Sequence, residues 1–427
     1  MSKYEKYKST GVEWIGEIPE DWRVHRIKSV SKIISGSTPS SSVEKYWDGD
    51  VVWFTPGDFS KNDRVISTSE NNITEEGYKS CGTTLVPKGS IILTTRAPIG
   101  NVLIADLDLC TNQGCKSIIP TTSVSSFLYY IFSISQIELN VLGQGTTFLE
   151  LSREKLSTFK IPFPDKDEQL TIANYLDHQT QKIDRLIANK KAQAEKLKEL
   201  RQIEINNAVT KGLNSNVEMK DSGIDWLGKI PKHWELKRLK NLANQISEKS
   251  IEILDDDFLV ALENIESNTG KFIETASEYE NNGIKFKKGN LLYNKLRPYL
   301  NKVFQADKDG VCVGDIIVIE CTQRLHPTFL QYRMLSDAFC SVIMSSVYGA
   351  KMPRTSWQFI SSLKIGYPSF DEQVQITEHL NKRTIAIENL IQNINLQIDK
   401  LQELRKIKIY EAVTGKIKVN AYVEATA

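Results

Sequence analysis

A chain of 427 residues is too long for one ordinary core and predicts about two to four domains. Its 40% hydrophobic and 25% charged content exclude general disorder, because burial can offset chain entropy without disulfides or metal, and no apolar run approaches the ~18 residues that span a bilayer. The net charge of +1 argues against a stand-alone DNA binder, which carries a basic excess that drives counterion release; any DNA contact here must come from a local patch or be shared with a partner.

The N-terminal stretch, MSKYEKYKSTGVEW, lacks the basic-then-apolar layout of a signal peptide, which predicts a cytoplasmic protein. Six scattered cysteines fit reduced thiols; Cys110 and Cys115 are the only close pair, and without a second pair or a nearby histidine no zinc site is expected. The first block of note is GVEWIGEIPEDWRVHRIK, Gly11 to Lys28. It returns as GIDWLGKIPKHWELKRLK, Gly223 to Lys240, so that Trp14, Gly16, Ile18, Pro19, Trp22, Arg26 and Lys28 match Trp226, Gly228, Ile230, Pro231, Trp234, Arg238 and Lys240 without a gap.

Next come short β-rich runs bounded by Gly, Pro, Asn and Ser, and these also correspond faintly between the halves. VPKGSIILTTRAPIGNVLIAD, Val86 to Asp106, resembles FKKGNLLYNKLRPYLNKVFQAD, Phe286 to Asp307. GQGTTFLELS likewise aligns with YGAKMPRTSW. The expectation is two α+β domains of one fold with different surfaces.

A second repeated block runs from IPFPDKDEQLTIANYL at Ile161 to Gly212 and returns from IGYPSFDEQVQITEHL at Ile365 to Lys416. Both copies read as long helices. Ser369 with Glu372 forms a capping box, with Asp165 and Glu168 in the same places, and Pro164 and Pro368 sit just upstream. Heptad spacing predicts seams through Leu176, Ile183, Leu186, Leu197 and Leu200 in one helix and Leu380, Ile387, Leu390, Ile394, Leu401 and Leu404 in the other. Lys190 and Gln193 interrupt the first seam and Gln397 the second, and they are expected to pair with each other and fix register. About 40 helical residues span roughly 60 Å, the length of a spacer rather than of a domain's own core helix. The boundaries read from sequence are 1–164, 165–212, 213–368, 369–416 and a tail at 417–427.

The search for catalytic chemistry is mostly empty: there is no Walker loop, His-Glu-x-x-His, nucleophile elbow or Gly-rich cofactor loop, and no Asn-Pro-Pro-aromatic methyltransferase signature. His25, His178, His233, His326 and His379 do not cluster in sequence. Asp167, Glu168, Asp371 and Glu372 sit in first helical turns, where carboxylates satisfy free N–H groups and the helix dipole, so they read as structural.

Two copies of Trp-x-Gly-x-Ile-Pro-x-x-Trp, each followed by Pro-x-x-Asp-Glu-Gln and a Leu-rich helix ending in Ala-Val-Thr, closely resemble the specificity subunits of Type I restriction-modification systems over nearly the whole chain. The resemblance implies an α+β fold with two target recognition domains, about Glu20 to Phe163 and His233 to Tyr367, separated by two antiparallel coiled-coil helices with pseudo-two-fold symmetry. It implies binding to a bipartite, asymmetric site in double-stranded DNA, one half per domain, with the helices setting a gap near one ~34 Å turn. Changing helix length should then change the gap and not the sequence read.

The partners implied are two methylation subunits, which dock largely on the helices and share the phosphate contacts, and restriction subunits. No membrane partner is expected. The chain itself is expected to be non-catalytic and to bind no cofactor, with S-adenosylmethionine, ATP and magnesium held by the partners. A fused methyltransferase or endonuclease with unrecognised motifs and a coiled-coil scaffold without a DNA role are the alternatives.

Base readout needs donors and acceptors on rigid loops, with Arg and Lys favouring guanine and Asn and Gln adenine. The candidates are Ser37, Thr38, Arg96, Gln144, Thr146 and Thr147 in the first domain and Lys295, Arg297, Tyr348, Lys351 and Arg354 in the second. Trp14, Trp22, Trp226 and Trp234 lie in the shared segments and are expected to pack each domain onto the helices rather than stack on bases.

Overall fold

The computed structural model describes residues 2–61, 64–143, 149–250, 258–275, 283–347 and 352–419. The chain is α+β and divides into two compact units, 1–189 with 397–427 and 190–396. Both divisions fall inside a long helix, Lys166–Lys211 and Phe370–Val413, rather than at its ends. The physical reason is that the helix ends belong to the domain cores. Ile172 and Leu176 share one core with Ile409 and Val413, and Ile205 and Val209 share the other with Ile376 and Leu380.

In the first unit a five-stranded sheet has the order Ser31–Ser35, Cys115–Pro120, Ile91–Thr94, Val102–Ala105, Val65–Ile66. Its first four strands are antiparallel neighbours, and the last is added in parallel. The helix Ser125–Ile134, apolar on every side from Phe127 to Phe132, is buried in the core that contains Ile91, Leu93 and Ile118. Arg23–Arg26 pairs antiparallel with Lys160–Phe163, and the chain passes from there into the first long helix.

The second unit repeats this plan. Ala243–Ile246, Ile316–Cys321, Leu291–Asn294 and Val303–Gln305 stand in the same order as their counterparts, and Glu235–Arg238 pairs with Lys364–Tyr367 ahead of the second long helix. The correspondence between Val86–Asp106 and Phe286–Asp307 is therefore one of sheet topology. The units diverge in strand number: among the described residues the first has its five-stranded sheet and a three-stranded one, and the second has two four-stranded sheets, besides the two-stranded pairs of each.

Each long helix begins on its expected cap. Asp165 Oδ1 accepts the Glu168 N–H at 2.8 Å and Ser369 Oγ accepts the Glu372 N–H at 3.4 Å. The reciprocal half of the capping box is not made, because both glutamates are engaged by tryptophans. Gly212 and Gly415 take φ of +75° and +69°, the left-handed geometry that closes a helix C-terminus at little cost only for glycine. A Cβ on Gly415 would also lie 2.4 Å from Pro19 Cδ.

The seams differ from the leucine heptads. Leu176, Ile183, Leu380, Ile387 and Ile394 are buried, but Leu186, Leu200, Leu390 and Leu404 are 43%, 40%, 51% and 40% exposed, and Leu197 and Leu401 are half-buried. The buried line instead takes Thr180, Ile187 and Ala194 in the first helix and Thr384 and Ile398 in the second. Three- and four-residue steps from Ile183 reach different flanks of a helix, and Ile187 lies on the packed one. Gln193 and Gln397 are exposed and Lys190 is half-buried, and the residues next to the glutamines, Ala194 and Ile398, are the buried ones.

Within each unit the helix segments are antiparallel. Arg405 Nε donates to Asp184 Oδ1 at 3.0 Å in the first. In the second, Arg383 Nε donates to Glu204 Oε2 at 2.8 Å, and Arg201 Nε lies 3.8 Å from Glu388.

Candidate nucleic-acid interface

The repeated motif builds a frame under each sheet. The buried Trp22 indole donates to Glu168 Oε2 at 2.8 Å, and Trp234 donates to Glu372 Oε1 at 3.1 Å. The second oxygen of Glu168 accepts from Tyr4 Oη at 2.6 Å, and that of Glu372 lies 2.8 Å from His233 Nε2. The buried glutamines that directly follow extend the frame. Gln169 accepts from the Val124 N–H and donates to the Pro164 carbonyl; Gln373 accepts from the His326 N–H and donates to the Pro368 carbonyl.

Tyr130 donates to Asp177 and Tyr332 to Asn381, about two turns further along each long helix. Trp14 stacks on Phe159 and Trp226 meets Phe339 edge-on. Trp22 and Trp234 are buried in the two cores, Trp14 and Trp226 pack against them, and Glu168 and Glu372 serve the frame.

The variable residues gather at one end of each sheet. In the first unit Arg96, in the turn after Ile91–Thr94, forms an isolated bridge with Glu150, and its Nε donates to Glu150 Oε2 at 3.2 Å. Half-buried Thr38 donates to the Gln113 side chain, while the Ser37 carbonyl accepts from the Trp53 indole at 2.9 Å. The Ser37 backbone is thus held by Trp53 at the sheet end.

Lys116, which the sequence reading passed over, is buried in the central strand Cys115–Pro120, with its Nζ 3.4 Å from the Gln113 carbonyl. Burial pulls its pKa down, partly opposed by Glu150. A lysine among apolar strand neighbours was the available signal.

In the second unit the corresponding bridge joins Leu296 to Arg354, which supports the equivalence of the two pre-helix loops. Lys295 and Arg354 converge on Asp315, at 3.3 and 2.8 Å. They line an open cavity of about 620 Å³ with Gln245, Trp357 and Gln358. Arg297 is exposed in a left-handed turn at φ +50°, its N–H bonded to the Pro353 carbonyl at 2.8 Å. Gln144, Thr146, Thr147, Tyr348 and Lys351 lie outside the described residues.

Burial pushes the Cys110 thiol up to about 11 and Cys115 up to about 12, which keeps both protonated at neutral pH and poor as metal ligands. Among the described residues no group of three His, Cys, Asp or Glu side chains could hold a metal ion, and no helix is long and apolar enough to cross a membrane.

A frame that repeats its tryptophan–glutamate and glutamine contacts thus lies beneath two dissimilar polar rims, as in a modular protein built from two copies of one domain. Residues 19–196 match the family model of the Type I restriction modification DNA specificity domain. The chain is 42% identical over 234 residues to the Type I restriction enzyme MjaIX specificity subunit of Methanocaldococcus jannaschii, covering 53% of each chain. The matched stretch is thus about half that relative's length. It is 22% identical to the Escherichia coli EcoDI specificity subunit over 94% of this chain and 90% of that one.

A chain from a structure on complex assembly and conformational transition of the type I R-M system superposes with a TM-score of 0.71 at 14% identity, over 94% of this chain and 99% of that one. The HsdS subunit from Thermoanaerobacter tengcongensis gives 0.52 at 14% identity, over 94% and 98%. The structural likenesses carry the fold. Over residues 19–196, and over the 234 residues aligned with the Methanocaldococcus jannaschii relative, the chain is similar to Type I restriction-modification specificity subunits. Neither a fused enzyme nor a scaffold without a DNA role is supported by these relatives.

Proposed function

We propose that this chain is the DNA-sequence specificity subunit of a Type I restriction-modification complex. Each domain reads one half of a bipartite site in double-stranded DNA, and the chain directs adenine methylation and restriction carried out by partner subunits. The observation that carries the reading is the contrast between the frame and the rims. Trp22–Glu168 and Trp234–Glu372 repeat one another, whereas Arg96–Glu150 and Lys295–Asp315–Arg354 occupy corresponding sheet ends with different side chains. Selection for two different base sequences on one scaffold produces that pattern, since base contacts specify while the frame only positions.

The chain supplies no catalytic group of its own in this reading. Methylation subunits, two per chain, hold S-adenosylmethionine; restriction subunits use ATP and magnesium; and the complex works in the cytoplasm. Near-neutral net charge fits a subunit whose partners supply much of the phosphate contact.

The test is to map N6-methyladenine across a genome carrying the full chain with its methylation subunit. A two-part motif with a gap of fixed length, lost when the chain is deleted, is the expected result; methylation that persists without the chain would refute it.

A further inference from the structure

We propose that the second domain reads one G·C base pair in the major groove through the Arg354–Asp315 pair, and the first domain another through Arg96–Glu150. The inference rests on the reading of the chain as a DNA-specificity subunit and names what its rims recognise.

In the major groove a G·C pair presents two acceptors, guanine N7 and O6, beside one donor, the cytosine amino group. An arginine next to a carboxylate presents the complement, a fork of donors beside an acceptor. Asp315 is only 22% exposed and is held from two sides, by Arg354 Nη2 at 2.8 Å and Lys295 Nζ at 3.3 Å. The Lys295 N–H donates to the Asp315 carbonyl at 2.9 Å and the Thr355 N–H to the Lys295 carbonyl at 3.0 Å, so the backbones carrying all three charges are tied together. An arginine steered in this way forfeits less conformational freedom on binding than a solvated one. Arg354 lines the cavity of about 620 Å³.

In the first domain Nε of Arg96 is taken by Glu150, which leaves both terminal nitrogens for the base edge. The two domains reverse the arrangement along the chain. Glu150 and Arg354 occupy equivalent places in the isolated bridges, so the acid stands in one where the arginine stands in the other.

In the first domain this geometry disfavours a phosphate as the ligand, because the Glu150 carboxylate offsets the Arg96 charge and repels an anion yet preserves the directional donors that a neutral base edge needs. In the second, Lys295 leaves the cluster a net positive charge, and the salt dependence of binding separates a base contact from a phosphate contact.

The test uses the full chain assembled with its methylation subunits. Wild-type methylation maps should show a G·C pair in each half-site. In a complex carrying Arg354→Met, one G·C position of the second half should become unspecified while the first half and the gap persist. Arg354→Lys, which keeps the charge without the fork, should also relax that position.

On a labelled duplex, replacing that guanine by 7-deazaguanine should weaken wild-type binding about tenfold or more and leave the Arg354→Met complex unaffected. The proposal is overturned if the Arg354→Met motif keeps every specified base. It is equally overturned if binding falls uniformly across sequences with a shallower salt dependence, the mark of a phosphate contact. Failure of the underlying reading would look different, because no methylation motif would then depend on the chain.

Discussion

Glu372 and Glu168 show how far a single residue type can mislead. Their position predicts service to the helix N-terminus, yet each carboxylate accepts from a buried indole, and the helix cap is left to Ser369 or Asp165. Removing Glu372 would leave the Trp234 N–H without its acceptor, so Glu372→Ala should lower stability by about 1–3 kcal/mol, read as a fall in the thermal midpoint of the purified chain.

Arg333 is the opposite case, an ordinary helix residue in sequence that is wholly buried over the Trp226 ring, with only Nη1 bonded, to the Val209 carbonyl at 3.2 Å. Burial pulls its pKa down to about 10. Ile131 occupies the matching place in the first domain, fully buried. Replacing a buried, incompletely bonded charge by a fitting apolar side chain is often neutral or stabilising. Arg333→Ile should therefore leave the thermal midpoint unchanged or raise it, and a drop of several degrees would contradict this account of the site.

His326 adds a pH dependence. Its Nδ1 is buried without a hydrogen-bond partner, and burial holds its pKa below the usual 6.5. As pH falls below about 6.5 the unfolded chain takes up the proton before the folded chain does, so stability drops. His326→Gln should flatten that part of a denaturant-midpoint profile between pH 7.5 and 5.

The existence of both long helices was legible at the level of elements because caps, apolar period and duplication agree. Their buried line was not, since leucine heptads and the Thr180–Ile183–Ile187 line satisfy nearly the same spacing. Thr180 and Thr384 lie 3.2 Å from the hydroxyls of Tyr130 and Tyr332, a contact that long-range packing decides and local pattern does not. Ile183→Ala and Ile387→Ala should each cost about 2–4 kcal/mol, whereas Leu186→Ala and Leu390→Ala should stay within roughly 0.5 kcal/mol in chemical denaturation. Equal costs for the four would restore the leucine seam.

The internal repeat made the doubled architecture visible before any coordinates, because frame residues recur at fixed places. The rims were only partly legible. Arg96, Lys295 and Arg354 stand at the ends of the sheets, but Lys116 and Asp315, which lie in or beside central strands, could be joined to them only through strand pairing distant in sequence. In the proposed role the duplication makes the domains separable as readers, since each unit contains its own frame, rim and pieces of both helices.

That separability is the central claim. Its most direct test maps N6-methyladenine for a chain in which residues 20–163 are replaced by a copy of 233–367, expressed with the methylation subunits. The account predicts that the original first half-site disappears and the second half-site's sequence is specified in both halves of the motif. Retention of the original first half-site would contradict it.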